Sequence, residues 1–378
     1  MKRVSISLLL GLFVALTVGA GRDVRAGEEH DALGSRSVKG VALGLFASDP
    51  HWDYGPMLRE LAARGATDVL IVVQLSQHDR FASDLTFAST GTTHAPTERT
   101  LVRTLRQARA LGLRVGLMPI VHLRHREAHE WRGMLAPADG LDTWMRRYRA
   151  ALLPLAERAE AEGATRFVIG SELSSLEPFD DAWRALARDV RARFSGTLVY
   201  STNWDRLRGD ATLPPVAFWD AVDEVGLTAY FPLAASAEAP SEEALIDAWR
   251  APHAAIAELS RRTGKPIVLT EVGYPSRRGA LRAPWDDGAH DGSHEARGSS
   301  HDDPRVGSTD DDDVRVDLEQ QRRGFAAFCE VFAASDAIEG FYAWNWFGVG
   351  GARDDGFSLR GKPAAAELER CFARWEER

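Results

Sequence analysis

The sequence predicts a single (β/α)8 barrel, and three observations carry that reading. Eight short apolar runs, rich in β-branched residues and without strict polar alternation, recur after residue 40. Such runs suit parallel strands covered on both faces. A helical pattern separates each run from the next, which places helices outside a parallel sheet. The rhythm fills residues 40–378 of the 378-residue chain, room for one barrel of about 250 residues with insertions.

The strand-like runs are Val41–Phe46, Asp68–Gln74, Arg114–Val121, Arg166–Gly170, Thr197–Ser201, Val225–Ala229, Pro266–Thr270 and Ile338–Trp346. Helical patterns cover Gly55–Arg64, Glu98–Leu111 and Asp142–Glu162. Later helices start at Asp180, Ser241 and Asp317, and a last one runs from Pro363 to Trp375. Between the fifth and sixth runs the helical stretch, near Pro215–Ala221, is brief. Asp142 and Thr143 offer side-chain oxygens to cap the third helix, and Gly112 and Gly163 stand where helices end in left-handed backbone. A doubly wound open sheet is the alternative. It would carry a Gly-rich phosphate turn after the first strand, which Gly44-Leu45-Phe46-Ala47 is not.

Residues 1–26 read as a secretory leader. Lys2 and Arg3 precede an apolar run from Val4 to Ala20, and small residues offer cleavage after Ala20 or Ala26. Export to the periplasm or outside the cell follows, with no stable membrane insertion after cleavage. Residues 27–39 are expected to be a flexible lead-in. Export also permits a Cys329–Cys371 disulfide, though two buried thiols fit the sequence equally well. Residues 286–316 break the rhythm with Gly, Ser, His and Asp, and read as a solvated, disordered insertion after strand seven. Ten acids face Arg297 and Arg305 within 286–313, a net of −8 out of the chain's −9. The remaining barrel is nearly neutral, as suits an uncharged ligand, and nucleic acid is excluded as the main partner. A monomer is expected.

Barrel chemistry sits at the carboxyl ends of the strands. Two runs end there in glutamate: Ile169-Gly170-Ser171-Glu172 on strand four and Thr270-Glu271-Val272 on strand seven. A carboxylate at the end of a buried strand is costly unless paired or used. One such glutamate reads as an ion pair; two, across the barrel from each other, read as a pair facing one sugar-sized gap. Glycosidic cleavage needs such a pair, one carboxyl to protonate the leaving oxygen and one to attack or to activate water. Aromatic residues at other strand ends support a sugar, since rings stack on its apolar faces: Trp204, Tyr230, Phe231, Trp285, Trp344 and Trp346. Trp344 and Trp346 share a parity and are expected to face the mouth together. Tyr230 is placed to hydrogen-bond Glu271 and keep it ionised, while apolar walls and Glu271 would raise the pKa of Glu172. Trp144, Trp183, Trp249 and Trp375 lie on helical patterns and read as core.

At these residues the chain resembles the retaining glycoside hydrolases of clan A, most closely glycoside hydrolase family 113. The motifs are Ile169–Glu172, Tyr200–Asn203, Thr228–Leu233, Thr270–Tyr274, Ala283–Trp285, Trp344–Trp346, Asp355–Ser358 and Gly361–Pro363. The resemblance covers about residues 40–375. It implies a barrel that degrades β-mannan by double displacement, with Glu172 as acid/base and Glu271 as nucleophile. It implies a polysaccharide or oligosaccharide substrate and no metal or organic cofactor. Most of clan A has Asn before the acid/base, against the sugar 2-hydroxyl; here Ser171 stands there, and Asn203 is expected to supply the amide.

His122 reads as a ligand for a sugar hydroxyl, with Gln74 and His78 as weaker candidates. The spacing His122-x2-His125-x3-His129 could hold a metal, but its neighbours Arg124, Arg126 and Glu127 look like a solvated loop. His290, His294, His301 and Asp310–Asp313 match no EF-hand spacing. No Gly-x-Ser-x-Gly and no P-loop occur. Two other readings stand beside the mannanase: a non-hydrolytic carbohydrate-binding barrel, and a retaining β-glycosidase acting on another glycan.

Overall fold

Each apolar run becomes a strand buried over nearly its whole length. The strands are β1 (Val38–Gly44), β2 (Asp68–Gln77), β3 (Arg114–Leu123), β4 (Arg166–Ser171), β5 (Thr197–Asn203), β6 (Glu224–Thr228), β7 (Ile267–Val272) and β8 (Gly340–Ala343). They pair in sequence order, all parallel, and β8 returns to β1 through Val38 opposite Gly340 to close a (β/α)8 barrel. The structure, a computed structural model, describes residues 37–88, 94–127, 129–209, 212–238, 240–286 and 316–376. The expected leader 1–26, most of the lead-in 27–39 and residues 287–315 of the insertion lie outside them. Val38 and Lys39 belong to β1 rather than to the lead-in.

The helices of the described residues are α1 (Gly55–Ala63), α2 (Glu98–Ala110), α3 (Leu141–Ala161), α4 (Asp180–Arg191), α5 (Glu242–Thr263), α6 (Leu318–Phe332) and α7 (Pro363–Glu376). Ser241 and Asp317 cap α5 and α6 as expected, accepting from Ala244 N and from the amides of Glu319 and Gln320. Gly112 and Gly163 have φ of +80° and +67°, left-handed values that cost glycine little. Asp142 and Thr143 do not cap α3. Its amino-terminal cap is Gly140 at φ +83°, so the two residues lie inside the first turn.

Between β5 and β6 the connection is made by two 3-10 turns, Trp204–Leu207 and Trp219–Ala221. Rings cover the strand there: Trp183 of α4 stacks on Phe218 at 5.4 Å and meets Tyr200 edge-on at 4.9 Å. Trp144, Trp183, Trp249 and Trp375 are buried core residues, as read from their helical positions.

Inside the barrel, Val38, Ala42, Leu70, Val72, Met118, Ile120, Val168, Val199, Val268 and Tyr342 form a second apolar cluster. Below it lies a floor of charge built from the first residues of four strands. Arg114 grips Asp68 with two hydrogen bonds of 2.9 and 2.6 Å. Arg166 grips Glu224 at 2.9 and 2.8 Å and lies 3.5 Å from Asp68. Breaking a buried pair leaves its partner's charge uncompensated. Asp68→Ala, at a fully buried carboxylate, is therefore expected to destabilise the fold by about 3–5 kcal/mol while leaving turnover per folded molecule intact. Urea unfolding checks this, and a loss under ~1 kcal/mol would show that the two arginines find other partners.

Cys329 of α6 and Cys371 of α7 form a disulfide, with Cα atoms 5.5 Å apart. The pairing that the sequence leaves open is therefore made.

Candidate active site

The carboxyl ends of β3 to β7 supply a cluster of charge on the face opposite the floor. Glu172 follows β4 and turns through φ +57°, the sole left-handed non-glycine among the described residues. An L residue adopts that backbone at a cost of order 1–3 kcal/mol, and such residues gather at working sites. The turn is held by the Glu172 amide, which donates to Ser201 O at 2.8 Å. Just before it, Gly170 lies against Tyr200 and Trp183, whose ring carbons would be 2.8 and 2.9 Å from a Cβ. Only glycine lets β4 pass there.

Glu271 is aimed by irregular register. Val268 belongs to the inner cluster and Leu269 to the outer one, so plain alternation would send Glu271 outward. The pairing of β7 slips against both β6 and β8 around this residue. Such bulges re-aim a side chain. Here Glu271 Oε2 accepts a 2.7 Å hydrogen bond from the Tyr230 hydroxyl, the contact expected from sequence.

A residue that sequence reading missed joins the two glutamates. Arg132 opens a 3-10 turn between β3 and α3. Its Nη2 lies 2.7 Å from Glu172 Oε2 and 4.0 Å from Glu271 Oε1. Those two oxygens are therefore no farther apart than the sum of the distances, about 6.7 Å. Among the described residues, Glu271 Oε1 and Arg132 Nε are buried and make no hydrogen bond. Nothing in the apolar periodicity marks Arg132, which lies in an arginine-rich loop with no regular pattern.

The surroundings of Glu271 run against one expectation, that Tyr230 keeps it ionised. Burial, and then the neighbouring Glu172, push Glu271 up to about 8, against the downward pulls of Arg132 and Tyr230. The surroundings of Glu271 thus oppose its charge, chiefly through burial. Burial works against the charge of Arg132, yet Glu172 and Glu271 hold its pKa above the usual value. Burial and Glu271 lift the Tyr230 phenol well above its ordinary range, so it stays a hydrogen-bond donor. Burial raises Asp205 as well; Arg206 opposes this and Glu172 adds to it.

His122, next to last in β3, is depressed to about 4 by burial and then by Arg132 and Arg126. A neutral imidazole there can both donate to and accept from a hydroxyl. Asn203 ends β5; its Oδ1 accepts from Thr228 Oγ1 at 3.1 Å, and its side chain also bonds Asp205. Trp344 is half-buried and packs over the inner cluster. Trp285, 49% exposed, stacks on Trp204 at 5.1 Å with the planes 24° apart. Phe231 meets Trp204 at 5.7 Å.

Trp346 is a correction. It is fully buried, its indole N–H donates to Glu60 of α1 at 2.8 Å, and Arg64 lies over its ring. β8 ends at Ala343, so strand parity does not extend to Trp346, and the ring packs against α1 instead of facing the mouth. His125 packs its ring on His78 at 4.5 Å.

Residues 53–301 match the family described as Glycoside Hydrolase Family 113. Among solved structures, the chain is similar to a β-mannanase of that family from Alicyclobacillus acidocaldarius in complex with ManMIm. The TM-score is 0.69 at 24% identity, over 89% of this chain and 97% of that one. It is also similar to a β-1,4-mannanase of the family, with a TM-score of 0.70 at 21% identity over 89% and 99%. A fungal β-1,4-galactanase gives 0.50 at 14% identity over 84% and 91%. None of the curated proteins matches the sequence.

Proposed function

The chain belongs to Glycoside Hydrolase Family 113 and is a glycoside hydrolase, and from that premise we propose that it cleaves β-1,4-linked mannan or a closely related β-glycan with retention of configuration. The observation that carries the proposal is one guanidinium shared by two buried carboxylates whose facing oxygens lie within about 6.7 Å. Retaining enzymes hold their carboxyls about 5–5.5 Å apart, and inverting enzymes about 6.5–9.5 Å. The bound on this one pair of oxygens is compatible with the first geometry, and the resemblance to the retaining enzymes of clan A favours it over the second.

In the first step a Glu271 oxygen attacks the anomeric carbon. The glycosidic bond breaks, and the Glu172 proton passes to the leaving oxygen. In the second step Glu172 takes a proton from water, whose oxygen attacks the same carbon and releases Glu271 as carboxylate. Tyr230 orients the nucleophile from the side opposite Arg132. His122, Asn203 and Trp344 border the place of the reacting sugar, and the Trp285–Trp204 stack offers a ring face farther out. A single barrel that begins with β1 at Val38 carries all of these groups.

The mannan preference is supported by the β-mannanase and the β-1,4-mannanase to which the chain is similar. One observation keeps another β-glycan in view: Ser171 Oγ is buried and makes no hydrogen bond among the described residues. Export is supported by the amino-terminal pattern and by the Cys329–Cys371 disulfide, a bond of oxidising compartments.

Incubation with β-1,4-mannan, galactan and glucan, with the first product followed by proton NMR, tests the proposal. Mannan should yield the β-anomer first, mutarotating afterwards. Appearance of the α-anomer first would make the enzyme inverting, and turnover of galactan or glucan alone would transfer the assignment to that glycan.

A further inference from the structure

The Glu172–Arg132 contact poses a problem for the reaction. A general acid must present its proton to the leaving oxygen, and a guanidinium already occupies Glu172 Oε2 at 2.7 Å. The same guanidinium stands 4.0 Å from Glu271 Oε1, a buried acceptor with no hydrogen bond among the described residues, and Arg132 Nε is a buried donor equally without one. A vacant acceptor, a vacant donor and a short gap lie between the two groups whose charges exchange during turnover.

We infer that Arg132 is a positioning residue that follows the negative charge between the two glutamates, pairing with Glu271 before glycosylation and with Glu172 after it. The inference rests on the double displacement proposed above. Before the first step Glu271 is the carboxylate and Glu172 carries the proton. When the C1–O bond of the substrate breaks, Glu271 becomes a neutral ester, the proton leaves with the departing oxygen, and Glu172 is left as the carboxylate. When water is cleaved in the second step, Glu172 regains a proton and Glu271 regains its charge. The pair carries one negative charge throughout, and Arg132 remains protonated. The arrangement seen here, with Arg132 on Glu172, has the charge distribution of the second step. Sugar entering the gap would displace the guanidinium toward the open Glu271 oxygen.

Other charged or titratable groups face this pair. Tyr230 donates to Glu271, and Asp205, on the turn after β5, feels the charge of Glu172. His122 of β3 and Tyr148 of α3 face Arg132. None of these supplies a fixed positive charge; among the described residues, Arg132 is the cation that bridges the pair.

The test uses the full chain with β-1,4-mannan and with 2,4-dinitrophenyl β-mannobioside, whose leaving group needs no acid. In Arg132→Gln the acidic limb of kcat/KM is expected to move up by about one pH unit or more. Both the burst and the steady state on the aryl substrate should slow at least tenfold. Arg132→Lys keeps the charge without the forked reach. It should restore the limb while both phases stay slower than in the parent. A residue of merely structural importance would change the rate or the yield of folded protein without moving the limb. An unmoved limb in Arg132→Gln overturns the inference. If that variant does not fold, parent-like rates in Arg132→Lys do the same. Glu172→Gln and Glu271→Gln are run beside them. If either turns over mannan at the parent's rate, the double displacement itself falls, an outcome distinct from failure of the arginine variants alone.

Discussion

Glu271→Gln is expected to lose at least about 10⁴-fold in kcat on β-1,4-mannan, the scale on which removal of a covalent nucleophile is felt. The amide matches the carboxylate in size and can still accept from Tyr230, so the loss would report chemistry rather than collapse. Stability provides the control, and its sign can be worked out. Glu271 is raised from the ordinary 4.5 to about 8, chiefly by burial. Between those values the folded protein keeps a proton that the unfolded chain has released, so stability falls as pH rises through that window. The amide removes this dependence. The variant should therefore unfold no sooner than the parent at neutral pH and later toward pH 8. A well-folded Glu271→Gln protein that retains more than a few per cent of its activity would move the nucleophile elsewhere. Replacement by glycine adds a second reading: azide admitted to the vacancy should yield the α-glycosyl azide, the product of attack from the nucleophile's side.

Glu172→Gln is expected to lose activity selectively. On mannan, whose leaving oxygen needs a proton, kcat/KM should fall about 10²–10⁴-fold, the usual worth of a general acid. On 2,4-dinitrophenyl β-mannobioside the first step needs no acid. The burst should survive while the steady state slows, because no carboxylate remains to take the proton from water. Equal losses on both substrates would indicate that Glu172 serves binding rather than proton transfer.

The fold was readable because the apolar runs, the glycines after the helices and the Ser241 and Asp317 caps all report local physics. The placing of Glu172 and Glu271 was readable because a carboxylate at the end of a buried strand has few uses, and that of Tyr230 because it follows closely on the strand adjoining Glu271. Sequence could not show the register slips that turn Glu271 inward, since they depend on pairing between strands. Arg132 was hidden for a related reason: it stands on a 3-10 turn whose position depends on how the chain leaves β3. Trp346 was misplaced because alternation was carried three residues beyond the end of β8 at Ala343.

The charged floor has a consequence for traffic. Asp68, Arg114, Arg166 and Glu224, beneath the apolar filling of the barrel, make the site a dead end. In the double displacement proposed above, the departing half of the substrate and the water that resolves the covalent intermediate must use the same doorway, in turn. A second sugar still lodged at the rim stands where that water must pass, and its hydroxyl competes for the same anomeric carbon. The closed floor thus sets hydrolysis and sugar-to-sugar transfer in contest at one entrance, with the outcome decided by how soon the first leaving group clears it.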